Sequence, residues 1–380
     1  MRVLFAPDSF KGTLSSVAVA RALAAGWARA RPDDALRLAP LADGGEGTLD
    51  AIEAAGGWTR RWTTASDPLG RPIRAGWLSS GSRAVVEMAA ASGLSRLALD
   101  ERDPYAPSSR GTGELLMAAI GAGAREITLG IGGSATTDGG RGLVETLGGT
   151  VTGPGPEDHD WVTIGVDLDT LDGRLGSASM HVACDVDNPL LGPRGAAATY
   201  GPQKGARNAD IPTLDRRNAI WAAALERASG RHERDTPGAG AAGGVGFALL
   251  SLADRFKSFA LEPGVALVIA ATGFGDGLAD ADVVVTGEGR IDAQTAHGKT
   301  ALGVARRAKE AGVACYAVGG SVEPEGAAAL AALGVTAVPV HDRPISLEAA
   351  IAAGAAPIEA AAERLARRIT EDGGPATIRA

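Results

Sequence analysis

Five short apolar runs in this chain each end in a polar segment carrying Asp, four of them with Gly, and the first and last with Lys11 or Arg290. Val3-Leu4-Phe5-Ala6 opens into Pro7-Asp8-Ser9-Phe10-Lys11-Gly12-Thr13, and Ala39-Pro40-Leu41-Ala42 into Asp43-Gly44-Gly45-Glu46-Gly47-Thr48. Ile127-Thr128-Leu129-Gly130-Ile131 runs into Gly132-Gly133-Ser134-Ala135-Thr136-Thr137-Asp138-Gly139-Gly140. His181-Val182-Ala183-Cys184 precedes Asp185-Val186-Asp187-Asn188-Pro189, and Asp282-Val283-Val284-Val285-Thr286 precedes Gly287-Glu288-Gly289-Arg290-Ile291-Asp292. Glycine lets a backbone approach a ligand closely, and exposed amides in such loops cradle anions. Carboxylates beside them can hold Mg²⁺ or take a proton from a hydroxyl. The combination, repeated, reads as phosphate handling.

Each loop has its own chemistry and a plainer alternative. Asp8, Ser9 and Lys11 follow the first strand at its C-terminal end, where open α/β sheets bind ligands. Lys11 can neutralise a phosphate or a carboxylate, and Asp8 can bind Mg²⁺ or orient a hydroxyl. The alternative there is a capped helix start, with Thr13 or Ser15 as N-cap. Asp43 is a Mg²⁺ ligand or base candidate, while Glu46 and Thr48 can serve the next helix as caps. In Gly130–Gly140 the dinucleotide spacing G-x-G-x-x-G is not met, because Ala135 stands at the third glycine. Its amides and the Ser134, Thr136 and Thr137 hydroxyls suit phosphates, and Asp138 is a metal or helix-cap candidate. Asp185 and Asp187 would share one face of an extended strand and meet one ion, with Lys204 as a nearby cation. The last loop continues to Gln294 and Gly298-Lys299-Thr300, an ending like a Walker A motif. Ala293 replaces its first glycine and the loop is too long, which excludes a standard P-loop. Lys299 can still meet a phosphate or carboxylate, and His297 is the one site-adjacent histidine.

The elements that must position these loops follow from periodicity. Short β-branched runs alternate with Ala-rich helical patterns at both ends of the chain, as in Val3–Ala6 followed by Ser15–Ala30. Val283–Thr286, Cys315–Val318 and Thr336–Pro339 alternate with helices in the same way, which argues for a parallel sheet with crossover helices. In the middle, Trp58–Ser66, Ile73–Ser79 and Arg83–Met88 are closely spaced strands of an antiparallel or mixed patch. The expected fold class is therefore α/β in two domains. A discontinuous Rossmann/flavodoxin-like parallel-sheet domain takes residues 1–57 and 272–380, and a mixed α/β domain is inserted at 58–271. Gly153–Asp160 and Arg231–Gly240 read as mobile surface loops, and the tail from Glu371 as frayed.

The bulk numbers agree with a globular protein. The chain has 380 residues, enough for two cores, and is 45% hydrophobic and 22% charged. Its 54 glycines exceed the usual share and fall partly in the loops above. A net charge of −8 argues against a protein that coats nucleic acid. Two cysteines, Cys184 and Cys315, exclude a disulfide framework and are expected as buried thiols. The N-terminal strand lacks a signal-peptide pattern and no run suits a membrane span, so a soluble cytoplasmic protein without nucleic-acid or membrane partners is expected.

Taken in order, the loops resemble those of the bacterial-type glycerate kinase family. Gly111-Thr112-Gly113-Glu114-Leu115, Tyr200-Gly201-Pro202-Gln203-Lys204-Gly205 and His297-Gly298-Lys299 add to the match, which runs from residue 3 to about residue 320. Two departures touch no charged group: Thr137 stands where Asn is common, and Thr300-Ala301 where Ala-Pro is common. The resemblance implies ATP- and Mg²⁺-dependent phosphorylation of D-glycerate, giving 2-phosphoglycerate, in a monomer or homodimer whose active site lies in the cleft between its domains. A 3-kinase, a phosphate-ester hydrolase or mutase, and a non-catalytic nucleotide-binding regulator are the competing readings. On this basis Asp8, Lys11, Asp187 and Arg290 are the catalytic candidates, with Asp8 and Asp187 the leading bases. Ser9, Asp43, Lys204, Glu288 and Lys299 are assigned to substrate. Gly132, Gly133, Ser134, Thr136 and Asp138 are assigned to the nucleotide, and Asp185 with Asp187, or Asp43, to the metal.

Overall fold

The computed structural model describes residues 1–155, 163–293, 295, 300–341, 343 and 345–371. Gln294, His297, Gly298, Lys299 and the tail beyond Glu371 therefore lie outside the described residues, as does most of Gly153–Asp160. The described strands are β1 (Arg2–Pro7), β2 (Ala35–Leu38), β3 (Thr59–Ser66), β4 (Pro72–Ser80), β5 (Arg83–Glu87), β6 (Glu126–Gly130) and β7 (Thr150–Thr152). They continue with β8 (Gly165–Asp167), β9 (Ser179–Ala183), β10 (Ser258–Glu262), β11 (Val283–Ile291), β12 (Ala314–Val322) and β13 (Thr336–Pro339). The chain divides into two compact units. Met1–Asp43, Asp50–Gly57 and Val265–Ala380 form the first; Gly44–Leu49 and Trp58–Gly264 form the second.

In the first unit the strands lie in the order β13-β12-β11-β1-β2, all parallel. Counted within the unit this is 2-1-3-4-5, the flavodoxin-like order, and its topological switch falls between β1 and β11. Val3-Leu4-Phe5-Ala6 and Val283-Val284-Val285 are buried throughout, as a sheet covered on both faces requires. Helix Ser16–Ala30 is capped by Ser15, whose Oγ accepts the Ala18 amide at 3.3 Å. Thr13 is not the cap, because its hydroxyl donates to the Phe10 carbonyl at 2.8 Å. The helix sends Val19, Leu23 and Trp27 into a core shared with Phe5, Ile358 and Leu365. Phe5 and Trp27 meet edge to face at 5.9 Å. Gly26 lets helix Ala356–Glu371 come close, since a Cβ there would lie 2.0 Å from the Glu359 carbonyl oxygen.

In the second unit the order is β10-β9-β6-β5-β4-β3. The first four are parallel, and β5, β4 and β3 are antiparallel neighbours. Register aligns the ends of the parallel strands, pairing Glu87 with Gly130, Gly130 with Ala183, and Ala183 with Glu262. Whatever follows those residues leaves the sheet at one edge. Arg231–Gly240 is not the mobile loop its composition suggests. Buried Glu226 accepts the Glu233 and Arg234 amides, each at 3.1 Å, and also holds the Arg234 guanidinium. No described helix is long and apolar enough to cross a membrane.

Candidate functional site

At the switch point of the first unit the chain leaves β1 at Pro7, and the Asp8 amide still bonds the Gly287 carbonyl of β11 at 2.8 Å. The Asp8 side chain is buried. One carboxylate oxygen accepts the Ser9 amide at 2.6 Å and the other the Thr300 hydroxyl at 2.6 Å. Burial pushes the Asp8 pKa up, the Thr300 hydrogen bond opposes this, and the Asp43 charge adds to it. The net result is a carboxyl above its ordinary value.

Lys11 rides on a tight turn closed by Phe10 amide to Leu14 carbonyl (2.9 Å) and Thr13 amide to Phe10 carbonyl (2.8 Å). Gly12 takes the left-handed φ of +83° that the turn needs. Gly289 of β11 makes room for this turn, because a Cβ there would sit 3.2 Å from Phe10 Cα. Lys11 Nζ donates to Asp43 Oδ2 at 2.9 Å, with the lysine side chain 76% exposed. Loss of water around the ammonium lowers its pKa, and the Asp43, Asp8 and Glu288 charges more than reverse this, so it stays protonated. Glu288 is buried and accepts the Thr295 hydroxyl at 2.6 Å. A buried carboxylate of raised pKa beside an exposed cation can accept a proton from a hydroxyl while the cation holds an anion.

The edge of the second unit is built from backbone. Gly44 and Gly45 lie against Gly130 and Gly132: a Cβ on Gly130 would be 2.3 Å from the Gly44 oxygen, and one on Gly132 2.6 Å from Gly45 Cα. Glu87, at the end of β5, accepts the Leu49 amide at 3.0 Å and the Gly47 amide at 3.4 Å. Within Gly130–Gly140, only Gly132 and Gly133 reach solvent to any extent, with Ser134 just beneath them. Lys204 is buried and donates to Ser134 Oγ at 2.9 Å and to the Thr136 carbonyl at 2.7 Å. Burial lowers its pKa to about 7, against the opposing charge of Asp138.

These contacts sort the sequence candidates. Asp8, Ser9, Lys11, Asp43 and Glu288 fall together in the first unit, while Lys299 lies outside the described residues. Arg290 faces solvent and pairs with Glu323 at 3.1 Å. In the second unit Gly132 and Gly133 form an accessible turn with buried Ser134 just beneath it, and Thr136 and Asp138 are buried as well. The Thr136 hydroxyl donates to the Ala242 carbonyl at 3.2 Å. Asp138 accepts the Ser109 amide (2.8 Å), the Ser109 hydroxyl (2.8 Å), the Gly140 amide (3.0 Å) and the Gly142 amide (3.2 Å). Of the two roles open to Asp138, these contacts are those of the cap.

Asp185 and Asp187 do not share a strand face, because β9 ends at Ala183 and both stand exposed beyond it. Asp185 accepts the Gly264 amide at 2.9 Å. Lys204 is not their counter-cation; it is buried on Ser134 and Thr136. Cys315 is buried, its thiol pushed up to about 12 by burial, but Cys184 is only half-buried. Sequence reasoning missed Glu87 and the service of Thr300 to Asp8. A carboxylate ending the Arg83–Met88 run, and a threonine after Lys299, were the available signals.

Comparison with known proteins places the chain in a family. The family model for the glycerate kinase family matches residues 3–370. The chain is 42% identical over 375 residues to a glycerate kinase of Bacillus subtilis (strain 168), covering 96% of this chain and 94% of that one. It is 43% identical over 319 residues to a glycerate 2-kinase of Escherichia coli (strain K12), covering 82% of each. A crystal structure named for glycerate kinase 2 of Salmonella typhimurium LT2 matches with TM-score 0.81 at 38% identity, covering 98% of this chain and 99% of that one. The chain is a kinase and belongs to the glycerate kinase family.

Proposed function

We propose that this kinase transfers the γ-phosphoryl group of ATP, taken as its Mg²⁺ complex, to the 2-hydroxyl of D-glycerate, giving 2-phosphoglycerate and ADP. The observation that carries this reading is Asp8: a buried carboxylate of raised pKa, fixed by Ser9 and Thr300 at the switch point of a flavodoxin-like sheet. Phosphoryl transfer asks for positioning and charge stabilisation, with a base to receive the hydroxyl proton. Asp8 receives that proton, and Lys11, oriented by Asp43, holds the glycerate carboxylate. Glu288, steadied by Thr295, adds to the negative field that keeps Lys11 charged.

In the second unit the Gly132-Gly133-Ser134 turn offers amides and a hydroxyl to nucleotide phosphates. No cluster of three or more metal-ligating side chains occurs among the described residues. Mg²⁺ keeps several waters and is held by one or two carboxylates together with substrate phosphates. Asp185 and Asp187, exposed at the end of β9, are the pair that would hold it. The ion supplies charge neutralisation on the phosphates.

³¹P NMR of the product after incubation with D-glycerate, ATP and Mg²⁺ tests the proposal. A 2-phosphoglycerate resonance is expected. 3-Phosphoglycerate would keep the kinase and reverse the acceptor pose, and inorganic phosphate without a phosphorylated acid would leave a hydrolase.

A further inference from the structure

Lys204 is 2% exposed and makes no ion pair among the described residues. Burying a cation without a carboxylate costs several kcal/mol, and a methionine would fill similar space more cheaply. Its pKa of about 7 reflects that cost. The two acceptors it meets are neutral: the Thr136 carbonyl and the Ser134 hydroxyl.

In its protonated form, which a bound phosphate favours, Lys204 has donors and no acceptor, so Ser134 Oγ must accept from it. The Ser134 O–H is thereby committed to donate elsewhere, with the lysine charge polarising it. Around it the turn is fixed on both flanks. The Leu94 amide donates to the Gly133 carbonyl at 2.8 Å, the Ala135 amide to the Ser92 carbonyl at 2.9 Å, and the Gly132 amide to the Gly44 carbonyl at 3.3 Å. Gly133 is exposed with φ at +72°, and the amides of Gly133 and Ser134 donate to no acceptor among the described residues. Two unengaged amides and one hydroxyl constrained to donate make an anion cradle with a buried cation behind it.

We propose that Lys204 is a positioning residue that acts through Ser134, fixing its hydroxyl as a donor to a nucleotide phosphate held on the Gly133 and Ser134 amides. It does not touch glycerate. The inference rests on the reading of this turn as the nucleotide-phosphate site.

The test measures ADP affinity by calorimetry together with separate KM values for ATP and D-glycerate. Lys204→Met should weaken ADP binding and raise the ATP KM about tenfold or more, the scale of one charge-assisted hydrogen bond. The glycerate KM should stay within about twofold. Ser134→Ala added to Lys204→Met should cost little further, because both act through one hydroxyl. Unchanged ADP affinity in a folded Lys204→Met protein, or a shift confined to the glycerate KM, overturns the inference. If Lys204→Met does not fold, Ser134→Ala alone decides, and unchanged ADP affinity there overturns it as well. If the unmutated protein turns over glycerate while a folded Gly133→Asp protein binds ADP as tightly, the reading of the turn itself is overturned.

Discussion

The two candidate regions sit at the same kind of place, the C-terminal ends of parallel strands, and are made of opposite materials. In the first unit, Asp8, Lys11, Asp43 and Glu288 are charged side chains tuned by one another and by Thr300. In the second unit the accessible surface is glycine backbone, and the side chains that matter, Glu87, Asp138 and Lys204, are buried behind it as supports. Charged side chains can be removed with little harm to packing, so the first region should lose chemistry before it loses fold. Where backbones touch, any added atom has nowhere to go, so the second should lose fold first.

Asp8→Asn should show the largest effect. Turnover should fall about 10²- to 10⁴-fold, the range of a lost general base, while circular dichroism stays unchanged. The stability sign is the reverse of a usual salt-bridged aspartate. Burial raises the folded pKa of Asp8 above its unfolded value, so between the two values the folded state binds more protons and stability falls as pH rises. Above the folded pKa the cost of the buried charge is fully present and Asp8→Asn relieves it. Its Tm should equal or exceed that of the wild type there, with the difference closing as pH drops below about 4, the unfolded value. The acid limb of the wild-type rate profile should likewise lie above that of an ordinary aspartate. A less stable but active Asp8→Asn protein would make Asp8 a structural residue.

Gly139→Ala is the counterpart in the second unit. Gly139 has φ at +67°, and an added Cβ would lie 2.4 Å from Trp221 Cδ1, whose indole Nε1 also donates to the Gly139 carbonyl at 2.8 Å. Overpacking and left-handed strain together should cost about 2–4 kcal/mol, measured by denaturant unfolding. Asp138→Asn should cost about 1.5–3 kcal/mol through its charge-assisted hydrogen bonds. The folded fraction of either should keep its ATP KM. A KM shift without loss of stability would return Asp138 to the nucleotide.

This contrast also explains what was legible beforehand. The strand-to-loop transitions could be read directly, because a parallel strand buried on both faces is a continuous apolar run and its polar continuation marks the C-terminal edge. The crossover helices followed from their period, and Ser15 from its cap chemistry. Depth could not be read. Ser134, Thr136 and Asp138 occupy neighbouring positions in one glycine-rich segment, and only their packing against Lys204, Ala242 and Ser109 shows that all three lie below the surface. Its place in the sequence offers Lys204 as a cation for Asp185 and Asp187, and only the fold shows it buried on Ser134 and Thr136. The strand β10 was missed because Ser258-Phe259-Ala260-Leu261-Glu262 is short and follows an irregular stretch. Asp185 and Asp187 seemed to share a face because the end of β9 is invisible in an extended polar sequence.

Lys11→Met sharpens the comparison at smaller magnitude. The exposed Lys11–Asp43 pair should contribute under about 1 kcal/mol to stability, so Tm should barely move. The glycerate KM should rise about ten- to hundredfold for loss of a charge-assisted contact, and added salt should raise the wild-type KM in the same direction. A Tm loss without a KM change would assign Lys11 to the turn and not to the ligand.

Arg290 closes the series because it tests whether charge alone is enough to mark a site. It belongs to β11 with Glu288, yet Glu288 is buried while Arg290 is 66% exposed and already satisfied by Glu323. A guanidinium that remains in water gives up little when it is removed, since its pair is screened and its partner stays solvated. Arg290→Ala should therefore change stability by under about 1 kcal/mol and turnover by less than about tenfold, or 1.4 kcal/mol of barrier. A loss as large as that of Asp8→Asn would mean that the Glu323 pair is exchanged for the transferring phosphoryl group. Glu323→Ala would then lower KM by releasing the cation, whereas an Arg290 that only pairs at the surface leaves KM where it is.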